Sequence, residues 1–133
     1  MNSASEDIKD ILESISSLGL ALATDLFIGL EPSTPDDCVT IFDTPGGPPE
    51  LNFDGAGDLS NPFIQIRVRN NAYLTGWNVM NDINTELHGL GSPSEVWNGT
   101  TYLLIECTQE PALLDWDQNG RARFVVTYNI TRK

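Results

Sequence analysis

The residues of this chain that could do chemistry are few, and the most suggestive group is Asp115-Trp116-Asp117-Gln118-Asn119-Gly120. Oxygen donors at alternate positions followed by glycine match the first half of a calcium loop, in which every second side chain faces the ion. The second half fails. The twelfth position, which needs a bidentate carboxylate, is Val126, and the flanking residues alternate as strands do. The segment therefore reads as a hairpin turn, for which Asn119-Gly120 is a strong signal. His88, the one histidine, lies close to Ser92 and Ser94. No third group frames a nucleophile there, and the end of a helix is reason enough for an imidazole. The acidic pairs Glu6-Asp7, Asp36-Asp37 and Asp115/Asp117 offer an acid and a base on paper, yet nothing places a carboxyl in an apolar pocket that would raise its pKa. Gly46-Gly47 and Gly55-Ala56-Gly57 precede no helix and no phosphate-gripping lysine, so a nucleotide loop is not expected. We assign no catalytic, cofactor-binding or metal-ligating residue and expect no enzyme.

Charge excludes more than it selects. Seven Lys+Arg against nineteen Asp+Glu leave a formal net charge of −12 on 133 residues. Such a surface repels polyanionic nucleic acid and anionic membranes alike. Cys38 and Cys107 sit in apolar runs without CxxC spacing and read as reduced core residues. The opening Met1-Asn2-Ser3-Ala4-Ser5-Glu6 lacks the basic and apolar runs of a signal peptide, and no stretch approaches the ~20 apolar residues of a membrane span. The triplets Asn98-Gly99-Thr100 and Asn129-Ile130-Thr131 are then coincidental matches to a glycosylation site. The length suits one domain, 1–133.

The elements that must position any site follow from periodicity. Ser3 with Glu6 matches a capping box, and Ile8, Ile11, Leu12, Ile15, Leu18 and Leu22 recur at helical spacing, with Gly19 weakening the last turns. Strands are expected at 26–30, 38–42, 63–69, 102–107 and 121–132, and a second amphipathic helix from Tyr73 to about His88-Gly89. The fold class is α+β: a mainly antiparallel sheet of about four to five strands with two helices packed on one face. Between the second and third strands runs a loop at 43–62 without a periodic apolar face. Compact domains seldom carry more than ~12–15 unstructured residues between elements unless the segment binds something or is disordered. It is the first functional suspect. Pro45, Pro48 and Pro49 stiffen it and Leu51 and Phe53 give it apolar anchors. Arg67 and Arg69 share the polar face of the third strand, where an acidic neighbouring chain could dock. Of the tryptophans, Trp77 lies on an apolar stripe, whereas Trp97 and Trp116 fall in polar segments and divide between interface anchoring and local packing.

The order of these elements, with the wording of Cys38-Val39-Thr40-Ile41-Phe42-Asp43-Thr44-Pro45-Gly46-Gly47-Pro48-Pro49, of Ile64-Gln65-Ile66-Arg67-Val68-Arg69 and of Leu87-His88-Gly89, resembles the tail terminator and minor capsid (head-tail joining) proteins of long-tailed bacteriophages. The resemblance implies a virion protein without catalysis or cofactor. It implies a homo-oligomeric ring, usually a hexamer, at the head-proximal end of the tail tube, which stops tube growth and presents the surface that joins the head. The implied partners are other copies of the chain, the tail tube protein and a neck or head completion protein, with DNA passing through the lumen unbound and no membrane. Pro45, Pro48, Pro49, Leu51, Phe53, Arg67, Arg69 and Trp116 are the candidate contact residues. The competing readings are a head completion or neck connector protein, an acidic binding module mimicking DNA, and a small hydrolase.

Overall fold

The computed structural model of the protein describes residues 1–51 and 57–133. Helix α1 spans Ala4–Ser14 and opens with the expected capping box: the Glu6 amide donates to the Ser3 hydroxyl, and the Ser3 amide to the Glu6 carboxylate. Ile8, Ile11 and Leu12 are buried, each contributing about 1.5–3 kcal/mol of apolar burial. The helix is shorter than the apolar periodicity implied. Ile15 is its C-cap. Leu18 and Leu20 still pack on the core from irregular chain, while Leu22 is exposed. The serine-rich stretch after Glu13 competes for backbone hydrogen bonds, as the Ser14 hydroxyl does with the Ile11 carbonyl. Helix α2, Tyr73–Leu87, matches the reading, with His88 as its C-cap.

The strands are β1 (Leu26–Ile28), β2 (Cys38–Thr44), β3 (Phe63–Asn70), β4 (Glu95–Trp97), β5 (Thr100–Cys107), β6 (Ala112–Trp116) and β7 (Ala122–Arg132). They form one seven-stranded sheet in the order β1-β2-β3-β7-β5-β4, with β6 also pairing β7. The expected four to five strands thus become seven, and the sheet is mixed because β1 runs parallel to β2. Strand β4 turns into β5 at Asn98-Gly99, where both residues have positive φ (50° and 80°), the left-handed pair that a tight hairpin needs. Strands β5 and β6 lie end to end along one edge of β7, pairing with its C-terminal and N-terminal halves respectively.

Both helices cover the same face of the sheet, as expected. Val39 and Ile41, Ile64, Ile66 and Val68, and Phe124, Val126, Tyr128 and Ile130 point to it in register and are buried. Helix α1 is held there by polar contacts as well as apolar ones. The buried Asp7 carboxylate accepts from the Tyr102 hydroxyl at 2.6 Å and from Asn98 at 2.8 Å, and Arg132 lies 3.7 Å away. Helix α2 sits against Phe124 so closely that a Cβ on Gly76 would lie 2.8 Å from the ring and 2.9 Å from Asn70 Cβ. A larger side chain there would force Phe124 or Asn70 to shift.

The parallel pairing of β1 and β2 shapes the opposite face. The chain leaving Ile28 must return to the start of β2, and it does so as a strap, residues 29–37, whose Glu31 and Asp36 meet arginines of β3 and of the β7 approach.

Candidate assembly surface

On the face away from the helices, β3 and β7 present a row of arginines with different environments. Arg69 is 2 % exposed. Its guanidinium donates to the carbonyls of Pro35 (2.7 Å) and Asp36 (3.1 Å) and to Glu31 Oε1 (3.3 Å). Arg121 bonds Asp117 at 2.6 Å, the Ser33 carbonyl and Asp36. Arg123 makes a two-pronged bond to Asp115, 2.6 Å on each arm, and reaches Glu31. Bidentate carboxylate pairing of this sort is the stronger class of ionic hydrogen bond. Bonding to Arg123 holds the Asp115 carboxyl below the usual range. At Asp117 burial alone would raise the pKa, but the amide and guanidinium of Arg121 and the Asn119 amide outweigh it and the pKa falls. The two aspartates that begin the calcium-like pattern are therefore clamped on guanidinium groups, and Asp117 caps the hairpin turn by accepting from the amides of Asn119 and Arg121.

Arg67 differs. It lies half-buried between Phe42, whose ring centre is 4.9 Å from the guanidinium carbon, and Gln65, which accepts from its Nε at 3.1 Å. Among the described residues it has no carboxylate within ion-pair distance. Of the two arginines that sequence treats alike, Arg69 meets a carboxylate of its own chain, whereas among the described residues Arg67 has none within ion-pair distance.

The connection that sequence reading bounded at 43–62 is shorter at its start, because Asp43 and Thr44 belong to β2 and pair with Ile64 and Phe63. Asp43 also accepts from the amide and hydroxyl of Ser5 at 3.1 and 2.6 Å, pinning α1. From Pro45 the two limbs of the loop run side by side. Gly47 donates to the Asn61 carbonyl, and Glu50 and Leu59 exchange backbone bonds. Gly46 lies so close to the other limb that a Cβ there would collide with the Asn61 carbonyl oxygen and come within 2.8 Å of the Phe63 amide. The loop is thus an arm with a paired stem. Pro45, Pro48 and Pro49 are exposed on it, and Leu51 is 73 % exposed. Phe53 lies outside the described residues.

Trp116 is on the helix side, at the β6 edge, stacked on Tyr73 with ring centres 6.2 Å apart and 52 % exposed. Trp97 packs against the core, its indole N–H bonded to Glu95. The His88 imidazole accepts from the Cys107 amide, fastening the end of α2 to β5. Sequence reading missed β4 and β6, although Asn98-Gly99 between apolar-bearing triplets was a hairpin signal and Leu113-Leu114 an apolar one.

Three comparisons bear on this surface. The family model described as "Bacteriophage tail terminator protein" matches residues 14–133, beginning where α1 ends. Among solved structures, a chain of "Virion of native gene transfer agent (GTA) particle" has a similar fold at a TM-score of 0.64 and 12% identity, over 97% of this chain and 93% of that one. No curated protein matches.

Proposed function

The chain belongs to the bacteriophage tail terminator protein family and is a structural protein of the phage virion, and from that premise we propose that it closes the head-proximal end of the tail tube as a ring, six subunits being the expected number. In this role it stops tube growth, contacts the tail tube protein below and a neck or head completion protein above, and lets DNA pass. The family match over most of the chain carries this reading. The geometry supports it in two ways. A ring requires two different patches on each subunit that meet around a closing rotation, and the chain offers an exposed arm, with Pro45, Pro48, Pro49 and Leu51, and, on the sheet face away from the helices, the part-exposed side chains of Phe42, Gln65 and Arg67. We assign the arm of one subunit to the Arg67 face of the next or to the tube junction, with Phe53 as a further apolar anchor. An acidic subunit also suits a DNA conduit, since a lumen of negative charge repels phosphates instead of holding them.

The test is negative-stain microscopy and mass determination on the protein alone and mixed with purified tail tubes. Rings, or a cap at one tube end, are the expected result, and Arg67→Glu should abolish them while leaving the subunit folded. A protein that ignores tubes and binds isolated portal complexes would move the assignment to the neck connector. Capping unchanged in both Arg67→Glu and Phe53→Ala would refute the contact assignment.

A further inference from the structure

Strand β6 is the one long unguarded edge of the sheet. It pairs β7 on one side and nothing on the other among the described residues, so alternate backbone N–H and C=O groups of Ala112–Trp116 face outward without a strand partner. Edges are ordinarily blunted by lysine, proline, a bulge or a covering loop. β6 carries a register shift between Leu113 and Asp115 and one charge, Asp115, which is turned back onto Arg123 of β7, and its proline, Pro111, lies before the strand. The side chains around it are apolar. Tyr73, Leu74, Leu113, Leu114 and Trp116 are half of the ten exposed large apolar side chains among the described residues, gathered at β6 and the adjoining start of α2. A stacked Tyr–Trp pair is the kind of rigid, part-exposed aromatic surface that anchors protein contacts.

Charge decides what kind of chain fits. Carboxylates border the patch: Glu110 precedes β6 and is exposed, and Asp37, which accepts from the Asn71 amide, flanks the start of α2. A second copy of this chain could not answer them. Five of its seven cations, Lys9, Arg69, Arg121, Arg123 and Arg132, are already within ion-pair distance of its own carboxylates. Among the described residues only Arg67 and Lys133 have no carboxylate within ion-pair distance, against a net charge of −12.

We propose that the free edge of β6, with the Tyr73–Trp116 stack beside it, docks an extended, lysine- or arginine-bearing segment of another virion protein, which adds to the sheet as a further strand. Main-chain bonds to β6 supply affinity, alternate apolar side chains of the segment meet Leu113 and the aromatic pair, and its cations answer Glu110 and Asp37. The inference rests on the assembly role only in naming the partner as a virion protein.

The experiment is a titration of isotope-labelled protein, followed by amide chemical shifts, with three capped seven-residue peptides. One alternates lysine and valine, one alternates glutamate and valine, and the third is the lysine–valine peptide methylated on alternate backbone nitrogens so that one edge cannot pair. The expected result is shifts confined to residues 73–74 and 112–116 with the first peptide, and binding at least about tenfold weaker with the other two. Shifts scattered over the acidic surface, equal binding of the glutamate peptide, or no response at β6 at millimolar peptide would overturn the proposal. So would shifts at 112–116 that grow with protein concentration alone, which would give the edge to a second copy. Tube capping by the same preparation is read separately: if capping persists while the peptide fails, only the β6 assignment falls, and if capping fails while the peptide binds, only the ring reading falls.

Discussion

Arg67 and Arg69 stand two residues apart on one face of one strand, and replacing each by alanine should have opposite consequences. Arg69 loses three hydrogen bonds, at 2.7, 3.1 and 3.3 Å, from a site only 2 % exposed. Breaking a buried ion pair by removing one partner costs about 3–5 kcal/mol, because the other charge is left uncompensated. Here Glu31 keeps Arg123 at 3.2 Å, so the lower end, about 3 kcal/mol, applies. With a urea slope of about 1.5 kcal/mol/M the midpoint should fall by about 2 M. Arg67→Ala removes one cation–π contact and one bond to a half-exposed glutamine, together about 1 kcal/mol, or less than about 1 M. Urea unfolding followed by tryptophan fluorescence measures both, and tube capping by each variant is scored below its unfolding transition. Arg69→Ala should cap tubes at low temperature, whereas Arg67→Ala should be stable and deficient. Midpoints for the two variants within 0.3 M of each other, taken as about the error of such curves, would refute the division of labour drawn from burial.

Tyr102→Phe deletes the hydroxyl bridging Asp7 and Arg132 and should cost about 1.5–3 kcal/mol, the range for a hydrogen bond to a charged group; a loss under about 0.5 kcal/mol in chemical unfolding would mean that Asn98 and Arg132 hold α1 without it. Gly76→Ala should lower stability by about 1 kcal/mol, since crowding Phe124 costs about 1–3 kcal/mol and the gain in helix propensity returns about 1; a stabilised variant in the same assay would show that the α2 packing yields. The pKa values of Asp36, Asp115 and Asp117 are lowered in the folded protein, so their contribution is full above the ordinary aspartate range of about 3.9 and is lost as pH falls through the folded values. Thermal melts should therefore hold between pH 7 and 5, where easing of the net negative charge acts in the stabilising direction, and decline below about pH 4; a decline beginning above pH 5 would point to a different titrating group. Leu51→Asp on the exposed arm should leave the melting temperature unchanged and reduce tube capping, and intact capping would remove the arm from the contact.

Helix α2 and strands β2, β3 and β7 were legible because their residues carry one period each: Ile64, Ile66 and Val68 alternate with polar neighbours, and Tyr73, Trp77, Met80, Ile83 and Leu87 recur at helical spacing. The end of α1 was not, since apolar residues at helical spacing continue to Leu22 while the backbone leaves the helix at Ile15, within a stretch that has serine at 14, 16 and 17. Strand β6 was hidden too. Leu113 and Leu114 stand side by side at a register shift, so the alternation that marks a strand is broken within its five residues. The arm was recognised as exceptional by its length, prolines and glycines, but the pairing of its stem through Glu50 and Leu59 depends on which residues meet across the loop.

By itself the sequence determined the α+β class, the anionic surface and the likeness to tail terminators, because composition, period and local wording are properties of residues in order along a chain. Which arginine is structural was decided only in three dimensions. The parallel pairing of β1 with β2 forces residues 29–37 back across the sheet, and that path brings Glu31 and the carbonyls of Pro35 and Asp36 onto Arg69, whereas Arg67 meets Phe42 and Gln65. Charge compensation depends on distances of a few ångströms between residues more than thirty positions apart, and no local pattern encodes those distances.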